Sequence, residues 1–439
     1  MSLDGTDAEE GYGANKSERC KSLHILTITH QLAKRQRKVY TAPMHKLFLK
    51  EGEEDRILLG HPWIFDNEIG RLPADCPDGS PVDVLTKSGH FLGRGVINRS
   101  SRITVRLFTR NKDEQINRAF FASRIRAAAE TRSFFYGEGD SYRLLFAESD
   151  LLPGLVVERF VDLEGRVFLV VQFLTLAVDS FRDDIVAALE EVIRPAGIFE
   201  RSDVHVRALE GLSERKGWIG AEFDPRIVIR ENGIELTVDL ENGQKTGYFL
   251  DQKDNRALAA RISKGREVLD TCSHTGAFGL NAWKGGASSV LAIDISEDAV
   301  AGIRGNIARN GAEAAMRAET HDVFDFLKAQ EKDGKKYDFI ILDPPAFTKS
   351  AKMIDKAYGG YKEINLRAMK ILRPGGFLMT CSCSHFFTSD HFYRMIQNAA
   401  RDAHRTVQVL EKRGPGPDHP ALSGYPESDY LKCALCRVW

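Results

Sequence analysis

The sequence predicts an α/β protein of several domains, in which a small β module and a mixed α+β unit precede a parallel sheet covered by helices. Three observations support this fold class. The chain has 439 residues, which is more than one hydrophobic core usually contains. Apolar residues make up 43% of the chain and charged residues 28%, values typical of globular proteins. From about residue 235, short apolar strands alternate with helical stretches, a pattern that indicates a parallel sheet.

Charge, cysteine content and hydropathy restrict the partners. The 61 Lys and Arg residues nearly balance the 62 Asp and Glu residues, so any nucleic-acid face must be local. Seven scattered cysteines are not typical of a disulfide framework and indicate a reducing, cytoplasmic location. The longest apolar stretch, residues 167–178, contains Gln172 and Thr175 and is too short to span a bilayer. We therefore expect no membrane partner and, from the polar N-terminus, no secretory signal.

Residues 1–44 are expected to form a flexible tail, because they are rich in Gly, Ser, Asp and Glu and show no sustained hydrophobic period. The tail contains a basic run, which we interpret as a solvated patch in preference to an RNA contact. Its members are Lys34, Arg35, Arg37 and Lys38.

Residues 45–114 show short alternating segments separated by turn signals, which predicts a small β module. No acidic residue occurs between Asp83 and Asp113, although this window is rich in Lys and Arg. In the predicted strand 103–108, the period of two places Arg102 and Arg106 on one face. A solvated face is the plainer interpretation, but an acid-free window in a neutral chain favours phosphate contact. The candidate RNA contacts are Arg94, Arg99, Arg102 and Arg106.

Residues 115–228 predict a central α+β unit. Helices are expected over 119–132 and 179–193, with strands near 143–148, 154–159, 167–174 and 197–200. No nucleophile or set of metal ligands is evident in this segment, so a packing and positioning role is expected. Arg201-Ser202-Asp203, at the end of a strand, is only suggestive of function.

The segment from residue 229 contains the chemistry. A buried-type strand at 268–270 leads into a tight loop and then a helix, but the G-x-G-x-x-G pattern of dinucleotide binders is incomplete. A pyrophosphate ligand is therefore disfavoured. A ligand with a carboxylate, an ammonium and a ribose needs fewer glycines, and S-adenosylmethionine (SAM, S-adenosyl-L-methionine) fits that description. The loop residues expected to contact it are Cys272, Ser273, Thr275 and Gly276.

Acidic residues follow successive strands of this segment. Asp294 comes after the strand at 289–293, where a carboxylate can accept hydrogen bonds from both ribose hydroxyls. Asp322 is expected near the adenine amino group, and Asp270 and Asp343 end two further strands. One such acid alone is usually a helix cap or turn former. Four at strand ends indicate a ligand site.

The turn Asp343-Pro344-Pro345 is rigid, since each proline fixes its own φ. Turns of this kind, followed by an aromatic residue, hold a flipped base in base-modifying methyltransferases, and Phe347 occupies a nearby position. Cys383 follows the strand at 377–380 and is the candidate nucleophile. Carbon 5 of cytosine needs thiolate addition at carbon 6 before it can accept a methyl group, whereas a ring nitrogen does not.

Other candidates near this site are weighed against plainer interpretations. Cys381 is expected to be a buried packing residue, as are Cys433 and Cys436, and His274 is expected to be an ordinary loop residue. A thiolate nucleophile needs a base or a positive field, because a free cysteine has a pKa of about 8.5. His385 and Lys349 are the weak candidates for that field.

At these residues the chain resembles the bacterial 23S rRNA cytosine-5 methyltransferases that carry an N-terminal PUA domain. The resemblance covers the chain except its tail. It is carried by residues 243–252 (GQKTGYFLDQ), the loop 270–276, Asp343-Pro344-Pro345-Ala346-Phe347 and Ser382-Cys383-Ser384. It implies a PUA barrel at 45–114, a central α+β domain at 115–228 and a Rossmann-like class I methyltransferase domain at 229–439, with one antiparallel strand near the C-terminus.

The resemblance also implies residue roles. Cys383 is the nucleophile, and Asp270, Asp294, Asp322 and Asp343 are cofactor or active-site acids. Phe249, Asp251 and Gln252 lie near the methionine end of the cofactor. Many RNA cytosine-5 methyltransferases carry a second cysteine where this chain has Ala346, so the base that releases the product stays open among Asp343, His385 and a water. Cys381 and His385 also depart from the family pattern.

These observations favour SAM-dependent methylation of carbon 5 of a cytosine in 23S rRNA, acting on the free RNA or on a large-subunit assembly intermediate. An rRNA guanine N-methyltransferase and a catalytically inactive RNA-binding assembly factor are the alternatives. Cys383 argues against the first, and the intact series of acids argues against the second. A homodimer is compatible with the sequence.

Overall fold

Three large sheets, each paired with its own helices, make up the computed structural model of the protein. The structure describes residues 44–348 and 350–439. The predicted tail, apart from Met44, and the candidate Lys349 lie outside the described residues. Residues 45–439 form one compact unit.

The first sheet has six strands in the order β2-β6-β5-β4-β1-β3. Its strands are β1 His45–Leu49, β2 Trp63–Phe65, β3 Ile69–Arg71, β4 Pro81–Leu85, β5 Phe91–Ile97 and β6 Ile103–Thr109, and the short helix α1 is Asp55–Leu58. Alternate residues of these strands, including Leu47, Val82 and Val105, form a small apolar core. The predicted β module is thus confirmed.

The expectation that β6 presents a row of cations to solvent is wrong for Arg106. Its guanidinium is buried and donates to the carboxylate of Glu210 at 2.7 Å. Glu210 lies in a segment that connects two strands of the second sheet, which is described next. Arg94 is likewise buried and donates to Asp83 at 2.7 Å. Asp83 is the acid that bounds the window on its N-terminal side, whereas Glu210 is 104 residues from Arg106, so a local count of acids misjudged this face. Arg102 remains exposed, and Arg99 pairs with Asp78 at 2.8 Å at the surface.

The second sheet has the order β11-β10-β9-β8-β7 and is accompanied by two long helices, which pack against each other, and one short helix. Its strands are β7 Tyr142–Phe146, β8 Leu155–Val161, β9 Val167–Phe173, β10 Gly197–Ser202 and β11 Arg215–Ile219. The helices are α2 Arg118–Ser133, α3 Leu176–Asp179 and α4 Arg182–Ile193. Asn117 begins α2 by accepting a hydrogen bond from the Phe120 amide. The helix predicted over 179–193 begins instead at Arg182, after the separate short helix α3 that ends at Asp179.

The third sheet has seven strands in the order β16-β15-β14-β17-β18-β20-β19 and is preceded by a separate hairpin. The hairpin is β12 Arg226–Glu231 and β13 Ile234–Asp239. The sheet strands are β14 Glu267–Thr271, β15 Ser289–Asp294, β16 Met316–Thr320, β17 Tyr337–Leu342, β18 Leu372–Ser382, β19 Val407–Arg413 and β20 Lys432–Val438. Strand β20 is antiparallel to both neighbours, whereas β14 to β18 are parallel, which confirms the Rossmann-like class I arrangement.

Helices cover both faces of this sheet and connect its parallel strands. They are α5 Lys253–Ile262, α6 Ala277–Lys284, α7 Glu297–Arg309, α8 Val323–Lys332, α9 Ile354–Ile371 and α10 Ser389–Asp402. The Ser296 hydroxyl begins α7 by accepting from the Ala299 amide, and Gly311 follows its end with a φ of 66°. The carboxyl ends of β14, β15, β17 and β18 consequently meet along one edge, where open α/β sheets bind ligands.

Membrane-spanning helices and clusters of metal ligands are both absent from the described ranges. No helix there is both long and apolar enough to cross a membrane. No group of three or more His, Cys, Asp or Glu residues in the same ranges is arranged to hold a metal ion.

The buried pair between Arg106 and Glu210 predicts a large loss of stability when one partner is removed. The Glu210 carboxylate also accepts from Ser101 and Asn98. Glu210→Ala therefore removes the nearer carboxylate of a buried guanidinium, whose other acid Glu148 lies at 3.4 Å, and an acceptor of two polar side chains. We expect the free energy of unfolding to fall by about 3–5 kcal/mol, measured by urea denaturation. Glu214→Ala, at an exposed position in the same connection, is the matched control and should change little. Equal losses for the two variants would contradict the prediction.

Candidate active site

A cavity of about 350 Å³ opens at the carboxyl edge of the third sheet. Its walls include nine of the residues predicted for cofactor, base or catalysis. These are Phe249, Asp251, Gln252, Cys272, Asp294, Asp322, Asp343, Phe347 and Cys383. The structure therefore brings together residues that are up to 134 positions apart (249 to 383) in the chain. Asp270, Ser273, Thr275 and Gly276 do not line the cavity.

The loop after β14 adopts an unusual backbone. Cys272 and His274 both have a φ of 54°, in the left-handed region that side chains disfavour. Gly276 has a φ of 76°, and a Cβ atom there would lie 2.7 Å from the Ile303 side chain, so only glycine fits. The Ser273 hydroxyl donates to the Asp270 carbonyl at 2.9 Å and fixes the turn. These residues shape the loop from behind while Cys272 and His274 face the cavity.

Asp270 lies fully buried behind the cavity wall. One carboxylate oxygen accepts from the Gly279 amide of α6 at 2.9 Å, and the other has no partner. Burial raises the pKa of this carboxyl to about 7, and the nearby charges of Asp343 and Asp294 add to the shift. Its structural role is to join β14 to α6, and it adds negative potential behind the site.

The carboxylates of Asp294 and Asp322 line the opposite end of the cavity. Asp294 accepts from the amides of His274 and Ser296 at 2.9 and 3.0 Å, which fixes its orientation at the end of β15. Asp322 begins α8 and accepts from the Phe324 amide at 2.8 Å through Oδ1. Each carboxylate thus has an anchored orientation and retains acceptor capacity for ribose hydroxyls or an amino group.

Asp343 ends β17 and is linked to the loop before α5. The Gln252 side-chain amide donates to its Oδ1 at 2.9 Å. Burial raises the pKa of Asp343 to about 7, and the charge of Asp251 contributes. Asp251 is held by the Tyr430 hydroxyl at 2.6 Å through Oδ2, while its Oδ1 has no partner. A buried acceptor without a partner in a cavity wall fits a cationic ligand such as the ammonium of SAM.

Cys383 lies just beyond β18, half-buried, and its side chain lines the cavity. Burial raises the pKa of the thiol, the charge of Asp343 raises it further, and the charge of Lys245 lowers it. The Ser384 hydroxyl donates to the Thr348 carbonyl at 3.1 Å and anchors the loop. Cys381 is fully buried opposite Cys433 in β20, which agrees with its predicted packing role.

The positive field near the thiol comes from residues that sequence reasoning missed. Lys432 is buried at the start of β20, opposite Ser382, and its ammonium donates to the carbonyls of Ser384 and Tyr430 at 2.6 and 2.7 Å. Burial lowers the pKa of Lys432 to about 8. A lysine in an otherwise apolar strand was the available signal. His385, the sequence candidate, is exposed and does not line the cavity.

Aromatic side chains and prolines form the remaining wall. Phe347 packs against Tyr361, with ring centroids 4.5 Å apart, and lines the cavity together with Pro344 and Pro345. Phe249 meets His274 edge to face at 4.8 Å, and burial lowers the pKa of that histidine to about 4. His274 is therefore neutral near pH 7. The wall offers flat apolar surface to a planar ring.

The sequence of the chain matches two known domain families and several named proteins. Residues 47–110 match the model of a PUA-like domain, and residues 212–431 match that of S-adenosylmethionine-dependent methyltransferases. Two relatives are both named ribosomal RNA large subunit methyltransferase I. The protein from Tolumonas auensis is 40% identical over 89% of this chain and 99% of its own length, and the protein from Shewanella denitrificans is 41% identical over 90% and 99%.

Solved structures share the fold. SMU.776, determined in complex with SAH, is 23% identical, covers 90% of this chain and 100% of its own, and has a TM-score of 0.76. A Streptococcus mutans protein described as a SAM-dependent methyltransferase is 24% identical over the same shares, with a TM-score of 0.75. SAM is accordingly the cofactor of this chain. The chain belongs to the family of SAM-dependent methyltransferases with an N-terminal PUA-like domain, which includes the proteins named ribosomal RNA large subunit methyltransferase I.

Proposed function

We propose that the protein methylates carbon 5 of a cytosine in 23S rRNA through a covalent adduct with Cys383. The observation that carries this proposal is the position of the Cys383 thiol in one cavity with the acids at the strand ends and the Pro-Pro turn. A thiol in that place has a chemical use only if the target carbon must be activated by addition. The guanine N-methyltransferase alternative gives Cys383 no role.

In the proposed reaction, the Cys383 thiolate adds to carbon 6 of the cytosine, which makes carbon 5 nucleophilic. SAM supplies the electrophilic methyl group when it is bound. Removal of the proton from carbon 5 then expels the thiolate and restores the ring. Of the three candidates for this last base, Asp343 lines the cavity with a pKa of about 7, whereas His385 is exposed and outside it. We assign the proton removal to Asp343.

The residues proposed to hold the cofactor fall into two groups. Asp294 and Asp322 orient the ribose and the adenine amino group from the ends of β15 and β16. Asp251, with its unpartnered Oδ1, lies at the other end beside Phe249 and Gln252 and receives the ammonium of the methionine moiety. Asp270 and the loop residues Ser273, Thr275 and Gly276 do not contact the cofactor in this proposal; they hold the loop after β14 from behind the cavity wall.

RNA contact is proposed for the exposed cations of the first sheet and for the wall residue Phe347. Arg102 is exposed, and Arg99 is accessible beside Asp78, so both can reach a phosphate. Arg94 and Arg106 each form an ion pair with a buried carboxylate, so we give them a structural role and no RNA contact. Phe347 is placed to stack on the flipped target base. The proposed partner is 23S rRNA or a large-subunit assembly intermediate.

The covalent route predicts a trapped adduct. In 23S rRNA transcribed with 5-fluorocytidine, fluorine replaces the proton that must leave carbon 5, so elimination is blocked. Parent enzyme with SAM should form a stable cross-link, visible as a shifted band under denaturing conditions. Cys383→Ala should give neither cross-link nor turnover while it binds SAM normally in calorimetry. Cys381→Ala is the matched control and should retain turnover. Methylation by Cys383→Ala near the parental rate would instead favour the guanine alternative.

The acids predict that SAM binding depends on pH. Burial raises the pKa values of Asp270 and Asp343 to about 7, so both carboxyls gain protons as the pH falls below that value. The cationic cofactor favours the ionised forms and lowers both pKa values, so that binding releases protons. Affinity should be full above about pH 8 and fall by up to about tenfold per unit below pH 7 for each carboxyl that must ionise. Calorimetry in buffers of different ionisation enthalpy measures this release, and Asp343→Asn should reduce it. An affinity that is flat from about pH 6 to 8 would exclude this coupling.

The buried ammonium of Lys432 predicts a change in thiol reactivity. With its pKa of about 8, Lys432 is charged below that pH and stabilises the Cys383 thiolate. Lys432→Met should raise the thiol pKa by about one unit, and Lys432→Arg should restore part of the effect. The readout is the pH profile of iodoacetamide alkylation at the Cys383 peptide, followed by mass spectrometry. Lys328→Met, at an exposed position on α8, is the control. Identical profiles for Lys432→Met and the parent would show that the ammonium only holds the loop.

A further inference from the structure

A second cavity, of about 470 Å³, lies beside the active site, between the second sheet and the loops of the third. Three residues, Lys245, Phe249 and Asp251, line both cavities and form a common wall. The rest of the second cavity is built by residues from β7 to β9 and by the segment around Tyr425 to Tyr430. Outside that common wall, no residue of this cavity is proposed above to contact the cofactor or the RNA.

The walls of this cavity concentrate polar atoms that have no partner. Among the described residues, fifteen buried side-chain nitrogen or oxygen atoms lack a hydrogen bond, and five of them belong to residues lining this cavity. Four of them, Arg143 Nε, Ser149 Oγ, Glu158 Oε2 and Glu427 Oε2, belong to residues that line only this cavity, and Glu427 Oε2 lies 3.5 Å from His61 Nε2. The fifth, Asp251 Oδ1, belongs to the common wall and is the atom proposed above to receive the cofactor ammonium. Leaving such atoms unpaired in an otherwise satisfied interior costs free energy. A polar ligand in the cavity removes that cost.

Glu158 is the most informative of these residues. Its carboxylate is essentially inaccessible, with a side-chain exposure of 1%, and only Oε1 is paired, with Arg143. The free Oε2 therefore calls for a hydrogen-bond donor that is small enough to enter the cavity. Glu148, Asp251 and Glu427 also contribute carboxylates to the walls, against the two cations Arg143 and Lys245. The acids outnumber the cations, so a group bearing N–H donors is favoured over a phosphate.

Aromatic rings determine the shape of the ligand. Phe146, Tyr425 and Tyr430 line the cavity together with Phe249 of the common wall. Planar rings combined with unpaired acceptors and donors match the faces and the edge of a nucleobase. A carboxylate accepts from the exocyclic amine of cytosine, guanine or adenine, whereas uracil has no such amine.

We propose that this cavity holds a second nucleobase of the RNA, one with an exocyclic amine, extruded from the strand next to the target cytosine. The inference rests on the proposed function, since it places the target base in the adjoining cavity. The common wall separates two neighbouring bases, and the acidic interior keeps their phosphates outside. Glu158 determines which base is accepted, and it is a specificity residue with no part in methyl transfer.

The test is interference mapping on 23S rRNA transcribed in vitro, which lacks the natural base modifications. Transcripts carry, at low density, phosphorothioate analogues that lack one exocyclic amine: inosine for guanosine, purine riboside for adenosine and zebularine for cytidine. Enzyme-bound and unbound RNA are separated and the analogue positions are read by iodine cleavage. For the parent, one amine-deleted position within a few nucleotides of the target should be depleted from the bound pool. Glu158→Gln keeps one oxygen for Arg143 but changes the acceptor pattern.

For Glu158→Gln we expect about five- to a hundredfold weaker RNA binding and loss of that interference position, with SAM affinity unchanged. Glu200→Gln is the matched control, because Glu200 is equally buried in the second sheet and pairs with Arg182 outside the cavity. Ser149→Ala gives an independent, milder probe of the same wall. If the parent binds RNA but Glu158→Gln shows the parental affinity and pattern, the inference is overturned and the proposed function stands. If the parent does not bind the RNA, the proposed function fails and the inference fails with it.

Discussion

Confinement of several carboxylates to the dry carboxyl edge of the third sheet is the constraint on which the rest of the site depends. Asp270 is fully buried there, Asp343 is half-buried in the cavity wall, and the charge of Asp343 raises the pKa of Asp270. Two such groups cannot both ionise cheaply without a cation. The fold tolerates the arrangement because Asp270 joins β14 to α6 through Gly279, and Gln252 holds Asp343. The negative potential that makes ionisation of these carboxyls unfavourable also favours binding of a ligand that carries a sulfonium and an ammonium.

This potential sets a problem for the nucleophile. An acid beside Cys383 raises the pKa of the thiol and so disfavours the thiolate that the proposed reaction requires. The compensating charge arrives from the opposite side, through Lys432 on the antiparallel strand β20 and Lys245 on the wall. Because β20 runs antiparallel to β18, Lys432 at the start of β20 lies opposite Ser382 at the carboxyl end of β18, and its ammonium reaches the loop of Cys383. The antiparallel insertion therefore has a chemical consequence as well as a topological one.

The sequence predicted those features that depend on local pattern. The strands predicted near 167–174 and 197–200 are observed as β9 and β10, and the acids at the ends of β14, β15 and β17 were found because parallel strands end at one edge. Features that depend on distant partners were not predictable. The acid-free window around Arg106 suggested a phosphate-binding face because Glu210 lies over a hundred residues away in the chain. Lys432 was overlooked for the same reason, since nothing near it in the sequence shows that its ammonium reaches the loop of Cys383.

The segment between β13 and α5 shows how the central sheet takes part in the site without contributing a catalytic group. A Cβ atom on Gly243 would lie 2.4 Å from the Asp239 carbonyl, and Gly247 has a φ of 107°, so the loop folds tightly back on itself. Arg201, at the end of β10, donates to the carbonyls of Leu240 and Gly243 at 3.1 Å and fixes this loop to the second sheet. Since the loop carries Lys245 and leads to Asp251, Arg201 holds the wall that both cavities share. The position of the second sheet therefore bears directly on the placement of Lys245 and Asp251, two of the three residues that line both cavities.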